Sequence, residues 1–208
     1  MDTFDHPVVQ EPSQSVNYVE CHDNHTLWDR LQISNKEEDD LDKKRIHQLA
    51  TGLTLLSQGI PFLHAGQEWF RTKQGDENSY ISGDAINQLD WQQRVNEVDN
   101  IEWIKALISI RKQYSAFRLL TPEDIKERFH VLQAPAPVFG FMLFGDEEDL
   151  TVFMNPTKKY FHVPLPSPGR WEKLLSNHRG GLSPICCIIT EQTEIKPYEI
   201  FILKKPRI

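Results

Sequence analysis

The chain has 208 residues, of which 39% are hydrophobic and 25% charged, and this supply of apolar side chains predicts a globular protein rather than a disordered one. Its formal net charge is −7, with acidic and basic residues interleaved, so we expect no nucleic-acid partner. No stretch reaches the roughly 18 apolar residues of a membrane helix, and residues 1–14 contain no apolar signal region, so we expect no membrane partner either.

The chain contains three cysteines, Cys21, Cys186 and Cys187. Their odd number and their spacing match neither a disulfide framework nor a zinc site. We interpret them as buried free thiols. This favours a cytoplasmic location without fixing it, because an export signal of a longer, secreted protein would lie on a part outside this chain.

The first half of the chain has the pattern of a strand, a helix and a second strand. Residues 16–21 are rich in β-formers and run directly into a polar cluster, residues 22–25. Two possible capping boxes, within residues 34–38, precede apolar positions at helical spacing, and this predicts an amphipathic helix that ends near Gly59. The apolar run 59–66 between glycines predicts a buried strand.

A long polar segment, about residues 67–100, follows the second strand. Loops of this length inside a compact domain are usually functional. A second amphipathic helix is then predicted on the apolar positions of residues 101–111. We assign residues 1–115 to this α/β domain, which has too few strands to cover its own helices.

The composition changes beyond residue 115, where ten of the thirteen prolines lie. Short strands separated by turn residues indicate an all-β domain over residues 116–208, which we predict to be an antiparallel β-sandwich. The candidate strands are residues 138–144, 150–155, 160–165, 185–190 and 198–204.

Polar side chains follow both predicted strands of the first half. His22, Asp23 and Asn24 come after the first strand, and His64 after the second. In a βα barrel the carboxyl ends of the strands carry the active site. A carboxylate beside an imidazole suits the binding of neighbouring sugar hydroxyls, although a hydrogen-bonded turn would explain the same triplet.

Aromatic and histidine residues suggest two further kinds of site. Trp28 and Tyr80 are candidates for stacking on sugar rings because we place each in a polar loop, whereas we expect Phe70 and Trp91 to be core residues. Histidines at positions 22, 25 and 64 raise the alternative of a small metal-dependent hydrolase. They lack the spacing of a helical zinc motif, so we predict no metal and no cofactor.

Several segments resemble the type I pullulanases, starch-debranching glycoside hydrolases of the α-amylase superfamily. Residues 13–29, which include the sequence VNYVECHDNH, resemble the motif of the seventh barrel strand in that family. Residues 55–68 resemble the eighth strand, and residues 71–80 the loop after it. The resemblance implies that the chain is the C-terminal portion of such an enzyme, with barrel strands seven and eight of a (β/α)8 TIM barrel before the sandwich.

The resemblance also implies roles for individual residues. It implies a retaining hydrolysis of α-1,6-glucosidic branch links in pullulan, starch and glycogen-type glucans, with Asp23 as the carboxylate that stabilises the transition state. His22 and Asn24 are implied to contact the same glucan. The loop residues that the resemblance makes candidates for substrate binding are Arg71, Asn78 and Tyr80.

A retaining glycosidase also needs a nucleophile and an acid/base carboxyl group. In the family these come from the fourth and fifth barrel strands, and no segment of this chain matches either motif. We therefore expect the chain to be inactive alone, with an N-terminal part of the barrel as a possible partner. The alternative hypothesis is a non-catalytic carbohydrate-binding or accessory protein.

Overall fold

The computed structural model describes residues 9–207. Residues 1–8, part of the segment in which we predicted no signal region, lie outside the described residues, as does residue 208. No helix within 9–207 has both the length and the apolar character needed to cross a membrane. In this range six α-helices follow in chain order: α1 (Leu27–Ser34), α2 (Asp40–Leu56), α3 (Asp84–Asn87), α4 (Trp91–Asn96), α5 (Val98–Gln113) and α6 (Pro122–Arg128). Short 3₁₀ helices lie at Pro12–Gln14, Gln67–Trp69, Ser79–Ile81 and Ser115–Arg118.

The strands of the described range form three sheets. They are β1 (Val16–Asn17), β2 (Ile60–Pro61), β3 (Phe129–Val131), β4 (Phe139–Phe144), β5 (Glu148–Met154), β6 (Phe161–Pro164), β7 (Trp171–Leu175), β8 (Cys186–Ile188), β9 (Gln192–Ile195) and β10 (Ile200–Pro206). Strands β1 and β2 pair in parallel. A six-stranded antiparallel sheet has the order β3-β4-β5-β10-β7-β8, and β6 pairs with β9 alone. All five strands predicted after residue 115 are present, with shifted ends.

The predicted capping boxes at residues 34–38 are wrong. Asn35 instead ends α1, a helix that we did not predict, and Asp39 caps α2 by accepting a hydrogen bond from Asp42 N at 2.8 Å. Helix α1 begins after Thr26, whose hydroxyl accepts from Asp29 N at 3.1 Å. Each of these caps satisfies an amide at a helix N-terminus that has no partner within the helix. The segment 67–100 is also not a plain loop, because it contains α3 and α4.

The six-stranded sheet is buried on both faces by the alternation of its side chains. Phe141 and Leu143 of β4 and Ile200 and Ile202 of β10 belong to a core shared with α2 and α5. Phe201 lies between the two isoleucines and joins the opposite core, together with residues of β6 and β9. Because successive side chains of a strand point to opposite faces, one strand contributes to both cores.

The parallel pair β1–β2 is much shorter than the strands predicted at 16–21 and 59–66. Its register joins Val16 to Ile60 and Asn17 to Pro61. Within residues 9–207 neither strand has a second neighbour, so no ladder on the outer side extends them.

The prediction of buried cysteines is wrong for two of the three. Cys186 and Cys187 are exposed, and Cys21 is partly buried. The reason for the exposed pair is topological, since β8 is the edge strand of the six-stranded sheet and nothing in the described chain pairs with its outer side.

Arg111 connects the end of α2 to the start of β2. Its Nη1 donates to the carbonyl oxygens of Leu55 at 2.9 Å, Ser57 at 2.8 Å and Phe117 at 2.8 Å. Its Nη2 donates to the carbonyl oxygen of Gly59 at 2.8 Å. The side chain is buried, so these carbonyl groups have little access to water and depend on the guanidinium.

We expect Arg111→Met to lower the free energy of unfolding by about 3 kcal/mol, because it leaves buried carbonyl groups without a donor. Urea denaturation of the purified chain measures this loss. The control is Lys112→Met, which removes an exposed cation from the adjacent position of α5. Equal losses in the two variants would contradict the role given to Arg111.

Candidate functional site

Two loops follow the parallel strands and form one rim of the molecule. Strand β1 continues into residues 18–26, and β2 continues into residues 62–78. Because β1 and β2 run in the same direction, both loops leave the sheet at its carboxyl end. The predicted site residues lie on or next to these two loops.

A chain of three polar side chains joins the loops. The carboxylate of Glu20 is buried and accepts from the backbone N–H of Leu27. Its other oxygen lies 3.3 Å from Nδ1 of His64, whose Nε2 lies 3.2 Å from Nη1 of Arg71. A guanidinium can only donate, so Nε2 of His64 accepts and Nδ1 carries the proton that Glu20 receives as a hydrogen bond.

A second connection runs through Asp29 and Lys73. The buried carboxylate of Asp29 accepts from the hydroxyl of Thr72 at 2.5 Å and from the backbone N–H of Lys73 at 2.7 Å. The ammonium group of Lys73 donates to the carbonyl oxygen of His22 at 2.7 Å. These bonds fix the backbone before Asp23 against the loop that follows β2.

A network of buried polar side chains, formed by Gln67, Thr51 and His47, contacts the backbone of His64. Gln67 accepts from the backbone N–H of His64 at 3.3 Å and donates to the hydroxyl of Thr51 at 2.9 Å. That hydroxyl lies 3.5 Å from Nδ1 of His47. The His47 ring is fully buried against Phe70, with ring centroids 4.8 Å apart, and burial lowers the pKa of His47 to about 3.

The predicted triplet lies in the open on this rim. The side chains of His22 and Asp23 are 84% and 73% exposed, and His22 Nε2 is 3.4 Å from Asp23 Oδ1. Asn24 has a φ of +62°, a left-handed conformation that asparagine tolerates better than most residues. The backbone bends at residues 22–24 and presents an imidazole and a carboxylate to solvent together.

The other candidate residues differ in exposure. Arg71 is half-buried, and its Nη2 donates to the carbonyl oxygen of Asn87 at 2.5 Å. Asn78 and Tyr80 are exposed, and Tyr80 is 80% exposed. Trp28 lies in α1 rather than in the predicted loop, half-buried with its ring centroid 5.5 Å from that of Phe70.

The expectation that Phe70 and Trp91 are core residues is half correct. Phe70 is buried, whereas Trp91 is 63% exposed. The reason is that Trp91 is the first residue of the short surface helix α4, which Asp90 caps. One face of its ring lies against Trp69, with centroids 5.8 Å apart.

The histidines considered for a metal do not converge. His64 is engaged with Glu20, and His25 lies 3.6 Å from a carboxylate oxygen of Glu77. In the described part of the chain, one group of potential ligand atoms lies within 4.8 Å, and it consists of the consecutive residues Cys21, His22 and Asp23. Exposed groups of this kind are common without a metal, so the absence of a metal stays a prediction.

Sequence reasoning missed the residues that hold the rim in place. Glu20, Asp29 and Lys73 are buried charged residues, and such residues are almost always paired in the fold. Glu20 gave a usable signal, since it is an acidic residue within a run of β-forming residues. Asp29 and Lys73 gave none, because a charged residue in a polar segment is usually solvated.

Comparisons with known proteins show which family the chain is similar to. The curated pullulanase of Bacillus subtilis (strain 168) is 47% identical over 142 residues, which are 68% of this chain and 20% of that protein. The solved type I pullulanase of Bacillus subtilis str. 168, complexed with maltose, superposes with a TM-score of 0.91 at 37% identity over 97% of this chain. This chain belongs to the pullulanase family of glycoside hydrolases.

The pullulanase match covers most of this chain but only part of its relatives. A Paenibacillus barengoltzii pullulanase, solved with maltohexaose and alpha-cyclodextrin, has a TM-score of 0.87 at 38% identity, and the match covers 96% of this chain and 31% of that one. The chain thus spans about a fifth of the curated Bacillus subtilis relative. No protein-family model matches it.

We expect Gly66→Ala to destabilise the chain by about 2 kcal/mol more than Gly75→Ala. Both glycines have a positive φ, +98° and +80°, so alanine is strained at either position. Only at Gly66 would the added Cβ lie 2.7 Å from Cδ of Arg71, whereas nothing lies within 4 Å at Gly75. Urea denaturation of the two variants isolates the clash, and equal losses would show that Arg71 can move away freely.

We expect acid to destabilise the chain partly through His47. The unfolded chain binds a proton near the ordinary pKa of 6.5, while the buried ring does so only near 3. Between these values the unfolded state holds more protons, so stability falls as the pH falls through this window. His47→Gln should therefore reduce the stability difference between about pH 7.5 and about pH 5.

The matched control for His47 is His162→Gln, which removes an exposed histidine on β6. Its stability difference between the two pH values should equal that of the parent chain. An unchanged difference in His47→Gln would contradict the burial of a neutral ring at position 47.

Proposed function

We propose that the chain forms part of the glucan-binding rim of a pullulanase-type enzyme, which hydrolyses α-1,6-glucosidic branch links with retention of configuration. In this proposal Asp23 stabilises the transition state, and His22 and Asn24 bind the same sugar. The observation that carries the proposal is the double connection between the two loops, through Glu20 and through Asp29. It fixes the backbone beneath an exposed carboxylate and imidazole, as preorganised electrostatic catalysis requires.

An α-glucan is the ligand that fits this rim. Two of the solved relatives were crystallised with maltose and with maltohexaose and alpha-cyclodextrin. In this chain Asp23 can accept hydrogen bonds from two hydroxyl groups, and the neighbouring His22 can donate or accept another. Arg71 and Asn78 lie on the loop that follows β2, and Tyr80 lies in the 3₁₀ helix directly after it. The ring of Trp28 packs on Phe70 of the same loop.

The nucleophile and the acid/base group are proposed to come from residues outside this chain. A retaining glycosidase holds the two carboxyl groups about 5 to 5.5 Å apart. The buried carboxylates of Glu20 and Asp29 are each occupied by hydrogen bonds that hold the rim. They are therefore poor candidates for a nucleophile, and we expect no hydrolysis by the chain alone.

The exposed apolar residues of β1 and β2 support a barrel as the context of the site. Val16 and Ile60 on the paired strands are 54% and 48% exposed, and Tyr18 and Phe62 just beyond them are 58% and 42% exposed. Further barrel strands would cover such residues. We propose that β1 and β2 are strands seven and eight of a (β/α)8 barrel, that residues 1–115 belong to it, and that residues 116–208 form a β-sandwich domain.

A non-catalytic carbohydrate-binding role is the second candidate. The observation that favours it is the exposure of Tyr80 and Trp91, at 80% and 63%, because exposed aromatic rings stack on sugars. This role predicts retention of the chain in a gel that contains pullulan, with loss of retention in Tyr80→Ala and Trp91→Ala but not in Asp23→Asn.

A chimera tests the catalytic proposal. Residues 13–118 of this chain would replace the matching segment of the Bacillus subtilis pullulanase, and release of reducing sugar from pullulan would be measured. We expect activity in the chimera and a loss on the order of a thousandfold on Asp23→Asn, because a group that stabilises charge in the transition state is removed. The chain alone should release no reducing sugar.

The matched control in the chimera is Asp99→Asn, which neutralises an exposed acidic residue of α5 and should leave the rate unchanged. An active chimera in which both substitutions have equal effects would refute the role of Asp23. Hydrolysis by the chain alone would refute the claim that the other carboxyl groups lie elsewhere.

A further inference from the structure

A second concave site is formed mainly by residues 160–199, far along the sequence from Asp23. It is a cavity of about 310 Å³ between helix α2 and the ends of β7, β8 and β9. This volume is close to the lower limit of small-molecule sites. Basic side chains from four separate segments line it, namely Arg45, Lys173, Arg179 and Lys196.

Within residues 9–207 three of these cations form no ion pair with a carboxylate, although the buried carboxylate of Glu199 also lines the cavity. Among the described residues Lys173, Arg179 and Lys196 form no ion pair, whereas Arg45 lies 3.2 Å from Asp42. Lys173 is held over the ring of Phe201, 4.4 Å from its centroid. Unpaired cations that line a concavity attract an anion more strongly than cations on a flat surface.

Hydrogen bonds to the backbone hold Asn177 and Glu199 in the wall of the cavity. Asn177 donates to the carbonyl oxygen of Tyr198 at 2.9 Å and accepts from the backbone N–H of Ile200 at 3.1 Å. Glu199, which is buried, accepts from the backbone N–H of Lys196 at 2.8 Å. One oxygen of this carboxylate is thus occupied, and the other is available to a hydroxyl group.

We propose that this cavity binds the phosphomonoester of a small sugar. A phosphate offers three acceptor oxygens to Lys173, Arg179 and Lys196, and the planar guanidinium can bind two of them together. The exposed ring of Tyr160, at the edge of the cavity, supplies a face for the sugar ring. Glu199 supplies an acceptor for a sugar hydroxyl. The proposal uses none of the residues assigned to the pullulanase site.

The reactivity of a cysteine in the cavity wall can report whether a ligand is bound. Cys186 lines it, and its strand position pairs with Lys173. Cys187, the next residue of the same strand, pairs with Glu172 and points to the other face of the sheet. A ligand in the cavity should therefore protect Cys186 from alkylation and leave Cys187 unaffected.

The test is calorimetric titration of the whole chain with glucose 6-phosphate, inorganic phosphate and glucose. We expect glucose 6-phosphate to bind more tightly than phosphate, glucose not to bind, and added salt to weaken binding. The double variant Arg179→Gln, Lys196→Gln should bind about tenfold more weakly or worse, because two charge-assisted hydrogen bonds are lost. Alkylation by iodoacetamide, read by mass spectrometry, should slow at Cys186 alone.

The control is Lys112→Gln, Lys126→Gln, which changes the net charge equally at two exposed lysines elsewhere. It should bind as the parent chain does. Equal affinity of the two double variants, equal affinity for phosphate and glucose 6-phosphate, or equal protection of both cysteines would each overturn the proposal. Because the double variants retain the Asp23 rim, these results are independent of the pullulan assay.

Discussion

The contact that most constrains this chain is the buried guanidinium of Arg111. It donates hydrogen bonds to four carbonyl oxygens, which belong to the end of α2, the start of β2 and the turn after α5. An unpaired buried carbonyl costs about 1 to 3 kcal/mol, so a shift of residues 55–59, the segment that leads into β2, would break several bonds together. The position of β2 determines where His64 emerges, and His64 is the centre of the candidate site. A residue far from the rim thereby fixes its geometry.

The rim contains buried polar groups that hold its two loops in place and exposed polar groups that face solvent. Glu20, His64 and Asp29 form hydrogen bonds within the protein, and these bonds connect the two loops. The side chains of His22, Asp23 and Asn24 are exposed to solvent, and few of their polar atoms are hydrogen-bonded within the protein. The proposed glucan-binding role requires such exposed groups, because hydroxyl groups of a ligand can only pair with groups that the fold has left free.

The sequence predicted the regular parts of this structure and the family, but not the scaffold of the site. Helix α2 and the strands after residue 115 were predictable because their apolar periodicity is strong. The capping boxes were misassigned because Ser34 and Asn35 end an unrecognised helix rather than begin the next one. Trp91 was wrongly placed in a core because sequence alone does not reveal which face of a short helix is covered. Asp29 and Lys73 could not be predicted, since their partners lie more than 40 residues away.

The division of β10 between two cores makes the chain unevenly tolerant of length changes. Ile200 and Ile202 serve the helical side, and Phe201 and Leu203 serve the side of β6 and β9. A one-residue insertion or deletion that shifts the register of β10 would turn the two isoleucines towards β6 and β9 and turn Phe201 and Leu203 towards the helices. A change of length in this strand therefore disturbs both cores at once.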